Sequence, residues 1–401
     1  MTSNTFSLNE TTYLLKSLNY VIARLIEFHA QFIYCNGEYF QIIRHGFLIG
    51  HLSDVSKIIQ ARLYELYTPP TSLKGSEQIN TFLNEIIFQI DFSSLEDAKI
   101  FFEKEKALLA SLKKLLLYVS NNKIDMVADL PSFTCLKCSL VYIDLAYDVL
   151  SEFCQSASYD LECLIQPQEL SLDLSETSLP KLSDEPHKPS CLKKSKDRIF
   201  DFNSLDELCR DINVGRAFYH FVLVDIELTA MQVCAYMILN NRNENLKFRN
   251  SMARQIYDEA RHAILIKSIL DDLSGKIGDY TYSHLIWHRT MKSSDIKEQL
   301  AIQQVIQEGN ALQDNFLLID ALGRNNLNKF KGMLEFINAD ESVHVFIGNY
   351  WLKYFCDQKK TDIKEIISKA SDLIEMEVKQ RNSLTSDVLD VSGFYLTMEN
   401  S

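Results

Sequence analysis

YDEARHAIL, residues 257–265, lies in a stretch with the apolar spacing of a buried helix, yet it sets Asp258, Glu259, Arg261 and His262 side by side. Burying an unpaired carboxylate costs several kcal/mol or forces it to take up a proton, so a core helix normally keeps such groups off its apolar face. A metal ion would offset that cost. A second segment repeats the pattern: ADESVHVFI, residues 339–347, carries Asp340, Glu341 and His344. Both segments read D-E-x-x-H. On an α-helix, residues i and i+3 share a face about one turn apart. Glu259 with His262, and Glu341 with His344, can therefore each offer an oxygen and a nitrogen to one centre.

A dinuclear site needs two further carboxylates, and two other long helical patterns each hold one Glu inside an apolar stripe. Glu227 in LVDIELTAMQV is flanked on its face by Leu223, Val224, Met231 and Cys234, and Glu308 in QQVIQEGNALQDN by Val305, Ala311, Leu312 and Phe316. Glu227 precedes Glu259 by 32 residues and Glu308 precedes Glu341 by 33, which implies two helix pairs of matched length related by a pseudo-twofold. A lone E-x-x-H is more often a surface ion pair. Two copies, each preceded by Asp and joined by two lone Glu in apolar helices, are hard to produce as solvated faces.

The set Glu227, Glu259, His262, Glu308, Glu341 and His344 resembles the ferritin-like di-iron carboxylate proteins, in which two helices each give one Glu and two others each give Glu-x-x-His. The likeness covers roughly residues 214–357, and VDIELTAMQVCAY, DEARHAILI, VIQEGNALQDN and ADESVHVFIGNYW look most like a poorly characterised bacterial branch of that superfamily. They are more distantly similar to its tRNA-modifying di-iron hydroxylases. The resemblance implies an all-α protein whose ferritin-like four-helix bundle carries a dinuclear metal site. It also implies that Asp258 and Asp340 orient the imidazoles and that Arg261 pairs with those acids. The second copy departs here, since Val343 stands where the first has Arg261. The implied cofactors are two Fe ions, with an Mn/Fe pair as the variant, and O2 is the implied co-substrate. Carboxylate and imidazole suit those metals, whereas the set lacks the thiolates of a zinc finger.

Composition is that of a globular chain. Of 401 residues, 46% are hydrophobic and 24% charged, and only 12 are Gly and 7 Pro, which favours long helices over strands and turns. A net charge of −13 argues against a protein that grips nucleic acid through phosphates. The segment MTSNTFSLNETTY has neither a basic start nor an apolar run, so no signal peptide is expected. The apolar run 221–239 carries Asp225 and Glu227 in its middle, which marks a core helix and not a membrane span. Nine scattered Cys fit a reducing cytoplasm, and the single C-x-x-C, Cys135 to Cys138, reads as two cysteines one turn apart on a helix.

Four prolines, Pro167, Pro180, Pro186 and Pro189, fall within 166–196, a Ser-, Asp- and Lys-rich stretch without helical period. The expected organisation is an N-terminal helical domain without metal ligands over 1–160, a linker or surface excursion over 161–200, and the di-metal domain over 201–401. Helices are expected near 9–35, 37–67, 75–90, 94–120 and 131–157, then near 204–211, 214–241, 244–273, 294–322, 326–357 and 362–384. The first half looks like a second, degenerate helical bundle; its nearest polar candidates, His45, His51, Asp54, Asp144 and Asp148, are read as structural. So are His220, expected to be a hydrogen-bonded core histidine, and Tyr257, which points away from the ligand face. His284, Trp287 and His288 lie in the connection between the helix pairs, as a pocket wall or a plain anchor.

These expectations describe a cytoplasmic, O2-dependent non-haem di-iron oxidase or oxygenase acting on a small organic substrate. An amino-acid-derived metabolite of a biosynthetic pathway and a modified nucleoside both suit the superfamily. An external electron donor and a homodimer are compatible with this reading. The rivals are an iron-oxidising or peroxide-handling protein without organic substrate, and a structural or interaction protein that keeps a relic site.

Overall fold

The computed structural model describes residues 5–36, 38–66, 74–75, 95–124, 128–150, 172–173, 182–195, 204–242 and 244–374. These residues form an all-α protein. Its helices are α1 (Leu8–Cys35), α2 (Tyr39–Glu65), α3 (Leu95–Asn122), α4 (Leu130–Val149), α5 (Leu205–Arg210), α6 (Ile212–Asn240) and α7 (Leu246–Asp272). They continue with α8 (Leu285–Thr290), α9 (296–324), α10 (Asn328–Lys359) and α11 (Ile363–Ile374). Lys74–Gly75 and Leu172–Asp173 form one short antiparallel pair. Gly75 is thus a strand residue where a helix over 75–90 was expected; the rest of that helix, and most of the 161–200 stretch, lies outside the described residues.

Helix starts follow side-chain chemistry. Ser7 and Glu10 form a reciprocal box at α1, with the Ser7 backbone N–H donating to Glu10 Oε2 at 2.7 Å and the Glu10 N–H to Ser7 Oγ at 3.3 Å. Asp211 caps α6 through the Asn213 N–H at 2.8 Å, and Asp295 caps α9 through the Lys297 N–H at 2.9 Å. Two helices contain a widened turn that periodicity did not reveal: α6 runs as a π-helix over Val222–Glu227, and α9 over Ala301–Gln307. The apolar α6 is long enough to cross a bilayer, but 83% of its most apolar window is buried inside the protein, as expected of a core helix.

Contacts divide the chain into two compact units, Met1–Pro189 with Cys234–Tyr257, and Ser190–Val233 with Asp258–Ser401. Residues 234–257, expected in the C-terminal domain, group with the N-terminal helices. The reason is visible in polar contacts: Glu27 on α1 accepts from Arg242 Nη2 at 3.1 Å and forms an ion pair with Arg249, whose Nη1 lies 2.9 Å from Oε1, and Ser53 on α2 donates to the Asn250 carbonyl at 3.2 Å. Within this unit α1 packs on α2, α2 on α4 and α3 on α4.

Of the first-half candidates, only His45 enters a polar cluster in the core. His45 Nδ1 lies 2.7 Å from His29 Nδ1, and His29 Nε2 lies 2.7 Å from Glu105 Oε1, all three fully buried among Phe28, Phe32, Phe101 and Phe102. His51 lies beside the Tyr257 ring, Asp54 pairs with Lys57, Asp144 pairs with Lys113, and Asp148 is exposed. Burial pushes the Cys135 thiol up to about 12, so it is no nucleophile, while Cys138 is exposed.

In the second unit α5 packs on α6 and α9, and α9 packs on α10. The π-turn of α9 also meets α11 and approaches α10 closely at Gly348, where an added Cβ would stand 2.3 Å from Gln304 Cβ.

Candidate metal centre

All six residues expected to bind metal lie in the second unit, on α6 (Glu227), α7 (Glu259, His262), α9 (Glu308) and α10 (Glu341, His344), and none is more than 5% exposed. Each lone glutamate is placed by a π-turn: Glu227 is the last residue of one, and Glu308 follows directly on the other. A π-turn holds one more residue than an α-turn at the same point, which rotates the following side chain relative to the helix face.

The six converge. Glu227, Glu259, His262 and Glu341 form one group whose ligand atoms lie within 4.8 Å of one another, and Glu259, Glu308, Glu341 and His344 form another. The two quartets overlap in Glu259 and Glu341. Each imidazole turns Nδ1 toward the carboxylates. His262 Nδ1 is 3.1 Å from Glu259, 3.5 Å from Glu227 and 3.5 Å from Glu341; His344 Nδ1 is 3.0 Å from Glu341 and 3.4 Å from Glu259.

The outer nitrogens meet the aspartates in a crossed arrangement. His262 Nε2 lies 3.2 Å from Asp340 Oδ2, and His344 Nε2 lies 3.5 Å from Asp258 Oδ2. Arg261 Nη1 spans both acids, 2.9 Å from Asp258 Oδ1 and 3.1 Å from Asp340 Oδ2. Asp258, Arg261 and Asp340 thus lie against the outer side of the site.

Buried carboxylates gathered in this way must be neutralised, by protons or by a cation. With the Nε2 proton of His262 directed at Asp340, a neutral ring would aim its Nδ1 lone pair at carboxylate oxygens. Without a cation, protons must fill the gap. Burial alone would lower the pKa of both imidazoles, but the surrounding carboxylates outweigh it and hold both well above the usual value. Burial pushes Glu227 up to about 8 and, with Glu341 and Glu259, raises Glu308 well above the ordinary range. Against its own burial, Glu259 is held at about 2 by His344 and His262. Buried Glu and His groups in this arrangement could hold a metal ion in place of those protons.

The remaining candidates have structural partners. His220 Nε2 accepts the Gly278 N–H at 3.2 Å, as a core histidine should. Tyr257 packs its ring over Gly50, where an added Cβ would come within 2.4 Å. Trp287 is buried and His288 exposed. His284 takes a left-handed backbone (φ 58°), and its N–H donates to Asp225 Oδ1 at 2.8 Å. The Ser283 N–H donates to the same oxygen at 2.8 Å, so Asp225, two residues before Glu227, ties the 280–290 connection to α6.

That role of Asp225 was missed from sequence, as was a buried amide ladder beside Glu308. Gln303 Nε2 donates to Glu308 Oε1 at 2.9 Å, and Gln307 Nε2 donates to Gln303 Oε1 at 2.9 Å. The signal was present in AIQQVIQEGN, where amides interrupt an otherwise apolar helix.

Residues 164–382, more than half of the chain, match a family described as "Protein of unknown function (DUF455)". An uncharacterized protein of Haemophilus influenzae is 27% identical over 109 residues, which are 27% of this chain and 38% of the relative. The chain therefore spans well under half the length of that relative. No solved structure matches it.

Proposed function

We propose, on the premise that the chain belongs to the DUF455 family of unknown function, that it is an O2-dependent non-haem di-iron oxidoreductase of ferritin-like architecture, acting on a small organic substrate in the cytoplasm. The observation that carries this reading is the pair of buried quartets overlapping in Glu259 and Glu341, with both imidazole Nδ1 atoms turned inward.

In this reading Glu227 and His262 would hold one metal and Glu308 and His344 the other, with Glu259 and Glu341, which belong to both groups, available to either. Two divalent cations would neutralise the four buried glutamates, and an O- and N-donor set without thiolate suits iron or manganese. A pair of Fe(II) ions held there would supply two of the four electrons that O2 takes up, the oxidised C–H or N–H bond supplying the other two and an external donor re-reducing the pair. The chain's own residues do the rest. Asp340 and Asp258 face the Nε2 atoms, so the imidazoles present Nδ1 inward, and Arg261 holds the two aspartates in place. The four helices exclude water from the carboxylates, which keeps an oxidising centre from being quenched by solvent.

The test is to load the purified protein anaerobically with Fe(II), remove loose metal and count iron per chain beside a Glu259→Ala, Glu341→Ala double variant. Close to two irons in the parent and close to none in the variant is the expected result, followed by O2 consumption that depends on an added organic substrate. Repeated Fe(II) oxidation that no organic substrate alters would favour metal handling instead. Near-zero iron in both would leave a helical scaffold with a relic motif and end the enzyme reading.

A further inference from the structure

The two lone glutamates both stand where a π-turn ends, Glu227 as its last residue and Glu308 directly after it, but their surroundings differ. On an α-helix, residues five apart are rotated by about 140° and do not face each other. The i→i+5 register of a π-turn brings them together. In α9 that register joins Gln303 to Glu308, whose Oε1 accepts the Gln303 amide at 2.9 Å. Behind it, Gln307 Nε2 lies 2.9 Å from Gln303 Oε1 and 3.4 Å from Thr290 Oγ, and Thr290 Oγ lies 3.2 Å from Gln303 Oε1. Gln303, Gln307 and Thr290 are all buried. In α6 the residue five before Glu227 is Val222, and the one before it is Ile226. No amide can reach Glu227 from those positions, and its buried Oε2 faces only the Nδ1 of His262, itself a ligand candidate, at 3.5 Å.

We infer that Gln303 is a positioning residue for Glu308, and that the two metal positions are unequal because Glu308 is held before metal arrives by an amide outside the ligand set, while Glu227 has only a fellow ligand, His262, beside it. The inference rests on the di-metal reading above. A ligand already fixed by a buried hydrogen bond loses less rotamer freedom on coordination, and such outer partners typically change metal affinity 10–100-fold. The imidazoles offer no such contrast in kind: each has one aspartate beside its Nε2, Asp340 for His262 and Asp258 for His344. Gln303 serves Glu308 alone on its side of the site. Its own oxygen is engaged by Gln307 and Thr290, which fixes the amide orientation so that the N–H faces the carboxylate.

The test is an anaerobic titration of the full chain with Co(II), followed by calorimetry and by the visible absorption of the bound ion. The parent should bind two Co(II) in two unequal steps. Gln303→Met, which keeps the side-chain length and removes the donor, should weaken one step by about 10–100-fold and leave the other within about 3-fold. Thr290→Val, at the far end of the ladder, should weaken the same step by less. Val222→Leu, at the matching place on α6, should leave both steps unchanged. Thermal melts of the metal-free variants separate loss of affinity from loss of fold, and Thr290→Val serves if Gln303→Met does not fold. Two steps that Gln303→Met or Thr290→Val moves equally, or not at all, would overturn this inference and leave the di-metal reading intact. A parent that binds fewer than two Co(II) would overturn both.

Discussion

Asp340 lies 3.2 Å from the Nε2 of His262 on another helix, while His344, on its own helix, has its Nε2 toward Asp258. Each D-E-x-x-H segment therefore supports the histidine of the other. Helix geometry alone does not dictate this, because Asp and His four apart share a helix face; it is the packing of the two helices that sets each Asp beside the other segment's imidazole. An Asp directly before the ligand Glu faces across the gap between helices, where the partner's imidazole stands.

The crossing predicts that Asp340→Asn acts on the position built by Glu227 and His262. Metal affinity there should fall about 10–100-fold, since the carboxylate that fixes the His262 tautomer is weakened. Stepwise metal titration checks it. A loss confined to the position of His344 would contradict the crossed arrangement.

The overlap of the quartets makes a second prediction, about stoichiometry. Glu259 and Glu341 belong to both groups, Glu227 and Glu308 to one each. Glu259→Gln or Glu341→Gln should bring bound iron from about two per chain to near zero, whereas Glu227→Gln or Glu308→Gln should leave about one. Metal analysis after gel filtration decides between this pattern and four equal losses.

Glu27 gives the pH dependence of the first unit. Burial opposes its ionisation, but Arg249, Arg24 and Arg242 outweigh it and hold its pKa below the ordinary 4.5. The unfolded chain therefore binds this proton more tightly than the folded one. The stability Glu27 contributes is fully present above about pH 4.5 and is lost as pH falls through the lower folded value. Glu27→Gln leaves three guanidiniums without their carboxylate and should cost about 3–5 kcal/mol at neutral pH. Urea unfolding of parent and variant should show that difference at pH 7 and a smaller one near pH 3; a constant difference would refute the linkage.

Two glycines on α10 should respond with opposite sign. An added Cβ at Gly348 would meet Gln304 Cβ at 2.3 Å and its backbone carbon at 3.2 Å, atoms that no side-chain rotation can move away. Gly348→Ala should push α10 off the π-turn of α9 and destabilise by about 1–3 kcal/mol. Nothing lies within 4 Å of a Cβ at Gly332. Gly332→Ala should stabilise by about 0.5–1 kcal/mol through helix propensity alone. Thermal melts of the two variants make the comparison, and Gly348→Ala melting as high as the parent would show that the close approach is not required.

Helix positions and the ligand candidates were legible in the sequence because both rest on local rules. Apolar spacing located α1, α2, α7 and α10 to within a few residues, and the i, i+3 relation of Glu259 to His262 and of Glu341 to His344 is a property of any helix. The lone Glu227 and Glu308 could be found because a carboxylate in an apolar stripe is conspicuous. A π-turn, by contrast, changes hydrogen-bond register without changing residue order, so nothing in the spacing announced Val222–Glu227 or Ala301–Gln307. With the register went the reach of Gln303 to Glu308 and the close fit of Gln304 against Gly348. The crossed service of Asp340 to His262, the Asp225 tether of the 280–290 connection, and the grouping of residues 234–257 with Glu27 depend on which helices lie side by side. That is decided by burial summed over the whole chain, a non-local quantity that no window of sequence contains.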